Sequence, residues 1–331
     1  MSAPVTIRPS SDAAVVKGGP TRSESLTSLM PVLALVSLVI ALAAAKPGFL
    51  SQPSMTAVVD AAAPLAVLAA GATIAVLCGG IDLSIAALAS LSSVLLALWL
   101  PTLGGLASVA VVGVAAAAGA LQGAAHVFLR IPSFIVTLGG MSLFSSIALV
   151  ISGAAPVPVT DDGPIRWGFT RIFEVVPSAA VVAVVVVAVL ALLIKATPLG
   201  SWITATGYSE PAARLAGIPV DPLKIGAFCV SGACAGLAGV LLVARTFSGG
   251  PTMADSLLLP AIAAIVVGGT AITGGHGGLW RTLVGALVVT LLRVGLSVVG
   301  VSAAYESILY GALIVAAVAL TLDRSKVMVV K

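Results

Sequence analysis

The strongest constraint on this chain is a succession of long apolar runs separated by short polar breaks. A helix needs roughly 20 apolar residues to cross a hydrocarbon core about 30 Å thick, and backbone groups in lipid must be hydrogen-bonded within helices or a closed barrel. The runs lack the alternation of barrel strands. They predict an all-α integral membrane protein with about ten transmembrane helices, at residues 30–45, 57–77, 83–100, 105–129, 133–152, 175–194, 224–244, 256–273, 282–300 and 304–322.

The second and third runs are almost continuous from residue 57 to residue 100. Only the segment 78–84, which contains two glycines and an aspartate, interrupts them. This pattern predicts a broken or re-entrant element within the membrane. Composition agrees with a membrane location, because 60% of the residues are hydrophobic and only 8% are charged. These proportions exclude a soluble domain with a polar surface.

Lysine and arginine are distributed unevenly between alternate breaks, and positively charged loops resist translocation. Of the 16 Lys and Arg residues, eleven fall on one side, four on the other, and Arg293 lies within a run. The richer side includes both ends of the chain, so we expect the N- and C-termini to be cytoplasmic. The net charge of +4 follows from this bias, so a nucleic-acid partner is not indicated.

The same pattern sets the domain boundaries. Residues 1–29 are rich in Ser, Thr, Pro and charge, which predicts a disordered cytoplasmic tail, and they lack the apolar core and cleavage site of a signal peptide. A transmembrane domain follows at 30–322, with an external loop at 153–174 and a cytoplasmic loop at 195–223. Residues 323–331 form a cytoplasmic C-terminal tail.

Several kinds of reactive site are missing from the sequence. There is no GxxxxGK[ST] phosphate loop, and the glycine clusters at 268–269 and 274–278 lack the lysine that would hold a nucleotide. His126 and His276 are far apart, and the three cysteines lie in or beside apolar runs, where small buried side chains are the ordinary interpretation. We expect no enzyme activity, no metal site and no cofactor in this chain.

Five motifs occur in order along the chain. They are Gly-Gly-Ile-Asp-Leu-Ser at 79–84, Pro-Ser-Phe-Ile-Val-Thr-Leu-Gly-Gly-Met at 132–141, Ala-Arg-Leu-Ala-Gly-Ile at 213–218, Ser-Gly-Ala-Cys-Ala-Gly-Leu-Ala-Gly-Val at 231–240 and Gly-Gly-Thr-Ala-Ile-Thr-Gly-Gly-His-Gly at 268–277. In this order they make the chain similar to the permease subunits of ribose-type, simple-sugar ABC importers in the branched-chain amino acid and ribose permease superfamily. The resemblance covers most of the chain apart from its N-terminal tail.

The resemblance implies a type II-like importer permease in the bacterial inner membrane. Such a subunit pairs with a second permease copy, identical or related, around a translocation path. It receives a monosaccharide or similar small polar solute from an extracytoplasmic binding protein, and a cytoplasmic ATP-binding subunit drives transport. Selectivity is then expected to lie mainly with the binding protein, and the sequence leaves the solute unnamed.

A short helix in the loop 195–223 is the expected docking element for the ATP-binding subunit. Ser209 can cap its first turn, Glu210 suits its positive end, and Pro211 is tolerated there. An apolar face would result from the helical spacing of Ala212, Leu215 and Ala216, with Arg214 pointing elsewhere. The family usually has Glu-Ala-Ala here, whereas this chain has Glu-Pro-Ala-Ala. The predicted docking residues are Ser209, Glu210, Ala212, Ala213, Arg214, Leu215 and Gly217, and an ordinary solvated loop helix is the alternative.

Asp82 is the most conspicuous polar residue within the apolar region. A carboxylate at this depth costs about 3 kcal/mol on insertion scales, so it tends to face a cavity or a partner. Its position between Gly79-Gly80 and Ser84 also suits an N-cap of the following helix. Capping and a pore-facing role are compatible, since irregular backbone at membrane depth survives where it is buried in protein or lines a cavity.

Arg293 should be similarly costly to expose to lipid, and it departs from the neutral polar residue usual in the family. We expect it to face the interior and to pair with an acid, with Asp82 as one candidate, or to line the path. Snorkelling or an interhelical hydrogen bond is the alternative. Other candidate path or gate residues are Gly79, Gly80, Ser84, Thr137, Gly268, Gly269, Thr270, Gly274 and Gly275, with tight helix packing as the ordinary explanation for the glycines.

Three classes of function are therefore compatible with the sequence. The permease subunit of an ABC importer is the reading that the motifs favour. A self-sufficient secondary transporter or channel would instead show ion-coupled uptake by the isolated chain. A membrane-embedded enzyme would need a reactive cluster that the sequence does not display.

Overall fold

The computed structural model describes residues 22–46, 48–168, 170–172, 174–298, 300 and 305–321. Its architecture is almost wholly helical, with four two-residue strands at one end of the bundle. The helices are α1 (Arg22–Ala45), α2 (Gln52–Leu77), α3 (Ile85–Leu103), α4 (Leu106–Phe128), α5 (Ser133–Ser152), α6 (Ser178–Ala196), α7 (Leu199–Tyr208), α8 (Glu210–Leu215), α9 (Val220–Thr246), α10 (Leu258–Val267), α11 (Leu279–Val298) and α12 (Glu306–Thr321). The strands are β1 (Val157–Pro158), β2 (Arg171–Ile172), β3 (Val176–Pro177) and β4 (Ser248–Gly249).

Seven of the helices in the described part of the chain are long and apolar enough to cross a membrane. They are α2, α3, α4, α5, α6, α9 and α11. The other three predicted runs correspond to the shorter apolar stretches Leu29–Ala45, Asp255–Val267 and Glu306–Val315. An all-α membrane protein is therefore confirmed, and every predicted run contains a helix.

Two predicted boundaries differ from the structure. Helix α1 begins at Arg22, so residues 22–29 of the predicted tail are helical, because a helix can continue beyond the end of an apolar run. Helix α10 ends at Val267 rather than at 273. The reason is the glycine pair that follows, since Gly269 has φ of +77°, a left-handed conformation incompatible with a continuing helix. The predicted tail 323–331 lies outside the described residues.

Helices α2, α3 and α9 form the centre of the bundle. Val67, Leu68, Ala69 and Ala70 of α2 are fully buried, and α9 packs most extensively against α4, α2 and α3. Helices α4, α5 and α6 lie outside this centre and leave many large apolar side chains uncovered. In a membrane, these uncovered faces would meet lipid.

Small residues allow α4 and α9 to approach closely. Gly119 and Gly123 on α4, and Gly232 and Gly236 on α9, are each four positions apart, so each pair lies on one helix face. A Cβ on Gly236 would stand 2.7 Å from the Ala115 side chain, and one on Gly232 would strike the Ala115 carbonyl. The two helices therefore pack closely through small residues, in the manner common for membrane helices.

The two ends of the bundle carry different polar structures. The segment 153–174 contains the 3₁₀ helix Gly163–Gly168 and the strands β1 and β2, which pair with β4 and β3, respectively. Arg166 and Asp162 form an exposed ion pair of 2.9 Å there. At the opposite end, the loop 195–223 contains two helices, α7 and α8, where the sequence had suggested one.

Candidate functional site

The break between α2 and α3 is the first element of the candidate site. The chain turns at Gly79, with φ of +81°, and continues without helical structure to Ser84. Helix α5 holds this segment, since the Ile81 amide donates to Ser133 Oγ at 3.0 Å and the Leu83 amide donates to Thr137 Oγ1 at 3.1 Å. The predicted broken element is confirmed, and Thr137 lies beside it.

Asp82 is buried at the centre of this break, with 5% of its surface exposed. Its Oδ1 accepts hydrogen bonds from the amide of Ser84 at 3.0 Å and from the Ser84 hydroxyl at 2.7 Å. Its Oδ2 accepts from Ser231 Oγ on α9 at 2.7 Å. The cap position of α3 is Ser84 itself, so Asp82 binds the amide just before the helix instead of capping it directly. The carboxylate thereby ties the break to α9.

A glutamine from α4 completes this buried network. Gln122 Oε1 lies 3.0 Å from Ser84 Oγ, and its Nε2 has no partner among the described residues. The amide fits against α5 because position 140 is glycine, where a Cβ would stand 2.9 Å from the Gln122 Cδ. Sequence reasoning had not singled out Gln122 or Ser231, although a glutamine within an apolar run is itself a signal of a buried polar contact.

The second break, at 268–278, packs directly against the first. The Gly275 amide donates to the Leu77 carbonyl at 3.0 Å, and a Cβ on Gly274 would stand 3.0 Å from the Gly79 Cα. Gly274 and Gly275 both have positive φ, at +91° and +76°. Two glycine segments whose contacting residues Gly79 and Gly274 are 195 positions apart in sequence are therefore in backbone contact.

Gly80, Gly268 and Thr270 also have close neighbours. A Cβ on Gly80 would lie 3.0 Å from the Phe228 ring, and one on Gly268 would lie 2.7 Å from the Arg281 carbonyl oxygen. Thr270 is buried, and its Oγ1 accepts the Gly278 amide at 3.4 Å. Tight packing accounts for these positions without excluding movement between the two breaks.

Helix α8 has the features predicted for a docking element. Ser209 Oγ accepts the Ala212 amide at 3.4 Å, and Gly217, with φ of +78°, ends the helix. Leu215 is 91% exposed. Ala212 and Ala216 are exposed beside it, whereas Ala213 is buried. The apolar face therefore has no cover within the described part of the chain.

Charged side chains fix α8 to the start of α9. Arg214 pairs with Glu210 at 2.9 Å and also with Asp221, and Lys224 pairs with Glu210. Partial burial acts to raise the pKa of Glu210, but hydrogen bonds from Lys224 and Arg214 outweigh it and lower that pKa below its ordinary value. Asp221 and Glu210 in turn raise the pKa of Arg214. Arg214 thus points toward α9 and away from the apolar face, as predicted.

A groove of about 690 Å³ lies beside these charges, between the end of α4 and the α8–α9 corner. Lys224 Nζ lies 3.4 Å from His126 Nε2, and His126 Nδ1 lies 2.6 Å from the Ile131 carbonyl oxygen. Since only Nδ1–H can donate to that carbonyl, Nε2 of a neutral His126 accepts from Lys224. The sequence analysis had assigned no role to His126.

Arg293 pairs with Glu306, not with Asp82. Its Nε lies 3.2 Å from Glu306 Oε2, and a second pair joins Arg245 to Asp60 at 3.3 Å. Asp82 was a wrong candidate because it faces α9 and α4, whereas Arg293 on α11 faces the first turn of α12. Arg245, Arg293 and Glu306 line a cavity of about 390 Å³.

The sequence has a clear set of relatives. The profile of the protein family described as "Branched-chain amino acid transport system / permease component" matches residues 54–318. The ribose import permease protein RbsC of Bacillus subtilis (strain 168) is 34% identical over 317 residues, which cover 91% of this chain and 94% of that protein.

Two further relatives agree with this result. The fructose import permease protein FrcC of Rhizobium meliloti is 31% identical over 89% of this chain and 85% of its own length. The probable ABC transporter permease protein YphD of Escherichia coli (strain K12) is 38% identical over 57% of each chain. No solved structure matches the chain.

Proposed function

Because the chain belongs to the family described as branched-chain amino acid transport system permease components, we propose that it is the membrane-spanning subunit of an ATP-driven ABC importer for a monosaccharide or similar small polar solute. The observation that carries the proposal is the similarity to a ribose import permease over 91% of the chain. The relatives are named as transporter components, and the lack of a phosphate loop in this sequence agrees with a partner that hydrolyses ATP.

The complete transporter that we propose has three kinds of component. Two copies of this permease, or this chain and a related one, enclose the path in the bacterial inner membrane. An extracytoplasmic binding protein delivers the solute, and a cytoplasmic ATP-binding subunit drives its movement. We propose that all ten apolar runs cross the membrane with both termini in the cytoplasm, on the basis of the lysine and arginine bias.

Helix α8 is the proposed docking site for the ATP-binding subunit. The support is its uncovered apolar face, formed by Ala212, Leu215 and Ala216, together with the charged network that holds the helix in place. An amphipathic helix of this kind fits an apolar groove on a partner. We assign Ser209 and Gly217 to its ends, Ala213 to its buried side, and Glu210 and Arg214 to its attachment to α9.

The two breaks are the proposed site of movement along the path. The support is that nonhelical backbone around Asp82 packs on nonhelical backbone around Gly274 within the bundle, and such backbone is typical of transporter sites. Gly79, Gly80, Ser84, Thr137, Gly268, Gly269, Thr270 and Gly275 belong to this proposed gate. We assign Arg293 to the part of the path that lies toward the end of the bundle opposite the two breaks.

Reconstituted vesicles test the proposed function. The chain alone should give no uptake of radiolabelled ribose or fructose under an ion gradient, and uptake should require the ATP-binding subunit, the binding protein and ATP on the cytoplasmic side. Gradient-driven uptake by the isolated chain would contradict the proposal and favour a secondary transporter.

A Leu215→Glu variant tests the docking surface. The loss of a central apolar anchor weakens an interface by 2 kcal/mol or more, so binding of the ATP-binding subunit should weaken about 30-fold or more. Leu199→Glu, at a partly exposed leucine of α7 in the same loop, is the matched control and should bind normally. Equal binding by both variants, measured by co-purification, would remove α8 from the interface.

A further inference from the structure

The groove between the end of α4 and the α8–α9 corner is lined by one of the two histidines of this chain. His126 lies in the last turn of α4 and is partly buried, whereas His276 is exposed in the second break. Histidine is the side chain whose ordinary range of titration falls between about pH 5 and pH 8. His126 therefore gives the groove a charge that can change near neutral pH.

The neutral ring of His126 joins α4 to α9. Its Nδ1 donates to the Ile131 carbonyl oxygen at 2.6 Å, and its Nε2 accepts from Lys224 Nζ at 3.4 Å. The Lys224 side chain is only 12% exposed, and it also pairs with Glu210 on α8. The buried thiol of Cys78 lies within electrostatic reach of the same lysine and glutamate. One ammonium group thus holds α8, α9 and α4 together.

Protonation of His126 removes this connection. Both ring nitrogens of an imidazolium are donors, so Nε2 can no longer accept from Lys224, and two positive charges would stand 3.4 Å apart. Repulsion at this distance is strong, because both groups are partly shielded from water. The charged ring keeps its Nδ1–H bond to Ile131 and stays in place, so Lys224 has to withdraw. The contact is present above the range of titration and is lost as the pH falls through it.

The other charged groups of the groove do not compensate for a charged imidazole. Glu210 is already paired with Lys224 and Arg214. Asp221 is paired with Arg214 as well. Arg130 lines the same groove and adds a further positive charge. Among the groove residues that the structure describes, no carboxylate is without a cationic partner, so acidification leaves a surplus of positive charge beside α4.

We propose that His126 is a pH-sensitive switch, which couples α8 to α4 when it is neutral and uncouples them when it is protonated. In the charged state Lys224 keeps Glu210, so α8 stays on α9, but the contact that connects α9 to the end of α4 is lost. The corner between α4 and α5 leads from Ile131 to Ser133, which binds the first break. The inference rests on the proposed function and adds a form of regulation to it. Acidification on the cytoplasmic side reduces the solute transported for each ATP hydrolysed.

The ratio of transport to hydrolysis in vesicles tests the switch, with the complete transporter present and the pH set on the side of the ATP-binding subunit. From about pH 7.5 to about pH 5.5, the sugar carried per ATP should fall about tenfold more in the wild type than in His126→Gln, as for one lost hydrogen bond to a charged group. The glutamine keeps an acceptor for Lys224 and does not titrate. His276→Gln removes the other histidine of the chain and is the matched control, which should keep the wild-type pH dependence.

Denaturant unfolding of the purified chain in detergent tests the contact itself, without transport. At about pH 7.5 the wild type and His126→Gln should unfold at similar denaturant concentrations, and at about pH 5.5 the wild type should unfold at the lower concentration. In a Lys224→Gln background this disadvantage of the histidine at low pH should disappear, because the second cation is absent. A histidine whose charge destabilises the chain for any other reason would keep the disadvantage in that background.

Three results would overturn the inference. They are an equal pH dependence of the transport ratio in the wild type and His126→Gln, the loss of that dependence in His276→Gln, and persistence of the unfolding difference in the Lys224→Gln background. An absence of ATP-dependent uptake at both pH values would overturn the proposed function, and the switch with it. The unfolding measurements would then still show whether the contact between His126 and Lys224 responds to pH.

Discussion

At the residue scale, Asp82 is the most consequential side chain of the described structure. Its carboxylate joins the α2–α3 break to α9 through Ser84 and Ser231, so three donors replace the water that a carboxylate would otherwise need. A buried carboxylate is tolerated when all of its hydrogen-bond donors are present. Removing one donor leaves part of the buried charge without a hydrogen bond, which destabilises the protein.

Ser231→Ala should therefore destabilise the protein more than an ordinary serine substitution. We expect the free energy of unfolding to fall by about 1.5–3 kcal/mol, since hydrogen bonds to charged groups are worth about that much. Denaturant unfolding in detergent gives the value. Ser142→Ala is the matched control, because Ser142 is exposed on α5 and donates only to its own helix at Leu138. Equal stability of the two variants would show that Ser231 contributes nothing to holding the carboxylate.

Sequence alone could single out Asp82 and Arg293, because a charged residue stands out within an apolar run whichever way the helix is oriented. It could not supply their partners. Ser231 is 149 residues from Asp82, and the choice of Glu306 for Arg293 depends on how α11 turns toward α12. Such pairings are set by helix rotation and packing, which a single sequence does not record.

At the element scale, α8 is connected to the first break by a chain of polar contacts. Glu210 binds Lys224 on α9, Lys224 contacts His126 on α4, and His126 holds the Ile131 carbonyl. Two residues later, Ser133 of α5 binds the Ile81 amide of the break. A displacement of α8 by a partner would thus reach the segment around Asp82 through side chains on α9, α4 and α5.

Lys224→Gln should weaken this connection without removing α8. The variant loses the ion pair to Glu210, but the pair between Arg214 and Asp221 still holds α8 to α9. We expect the ATP-binding subunit to co-purify normally, and amide exchange in residues 210–218 to become about tenfold faster, as for one lost charged hydrogen bond. The amount of sugar carried per ATP hydrolysed should also fall.

Lys195→Gln, at an exposed lysine in the last turn of α6, is the control. An unchanged ratio of transport to hydrolysis in Lys224→Gln would exclude this route.

At the scale of the whole molecule, the helical architecture was predictable and the packing was not. Long apolar runs specify membrane helices by length and hydropathy alone, so each predicted run contains a helix. The central position of α2 and α9 depends on which glycines face which backbones, as where Gly71 lies against Cys234. The early end of α10 follows from a glycine pair that hydropathy counts as neutral.

The contact between the two breaks leads to a prediction about the moving parts of the molecule. A Cβ on Gly275 would stand 2.7 Å from the Tyr208 ring, at a residue with φ of +76°, whereas Gly269 has φ of +77° with no atom within 4 Å. Gly278, in the same loop, has neither constraint. Gly275→Ala should therefore combine a clash with backbone strain, and Gly269→Ala should suffer only the strain, about 1–2 kcal/mol. Gly278→Ala should be close to neutral.

If the breaks move during transport, the initial rate of uptake should decrease in the order Gly278→Ala, Gly269→Ala, Gly275→Ala when equal amounts of assembled protein are compared. Equal rates for all three would mean that this junction is rigid packing and that the gate lies elsewhere.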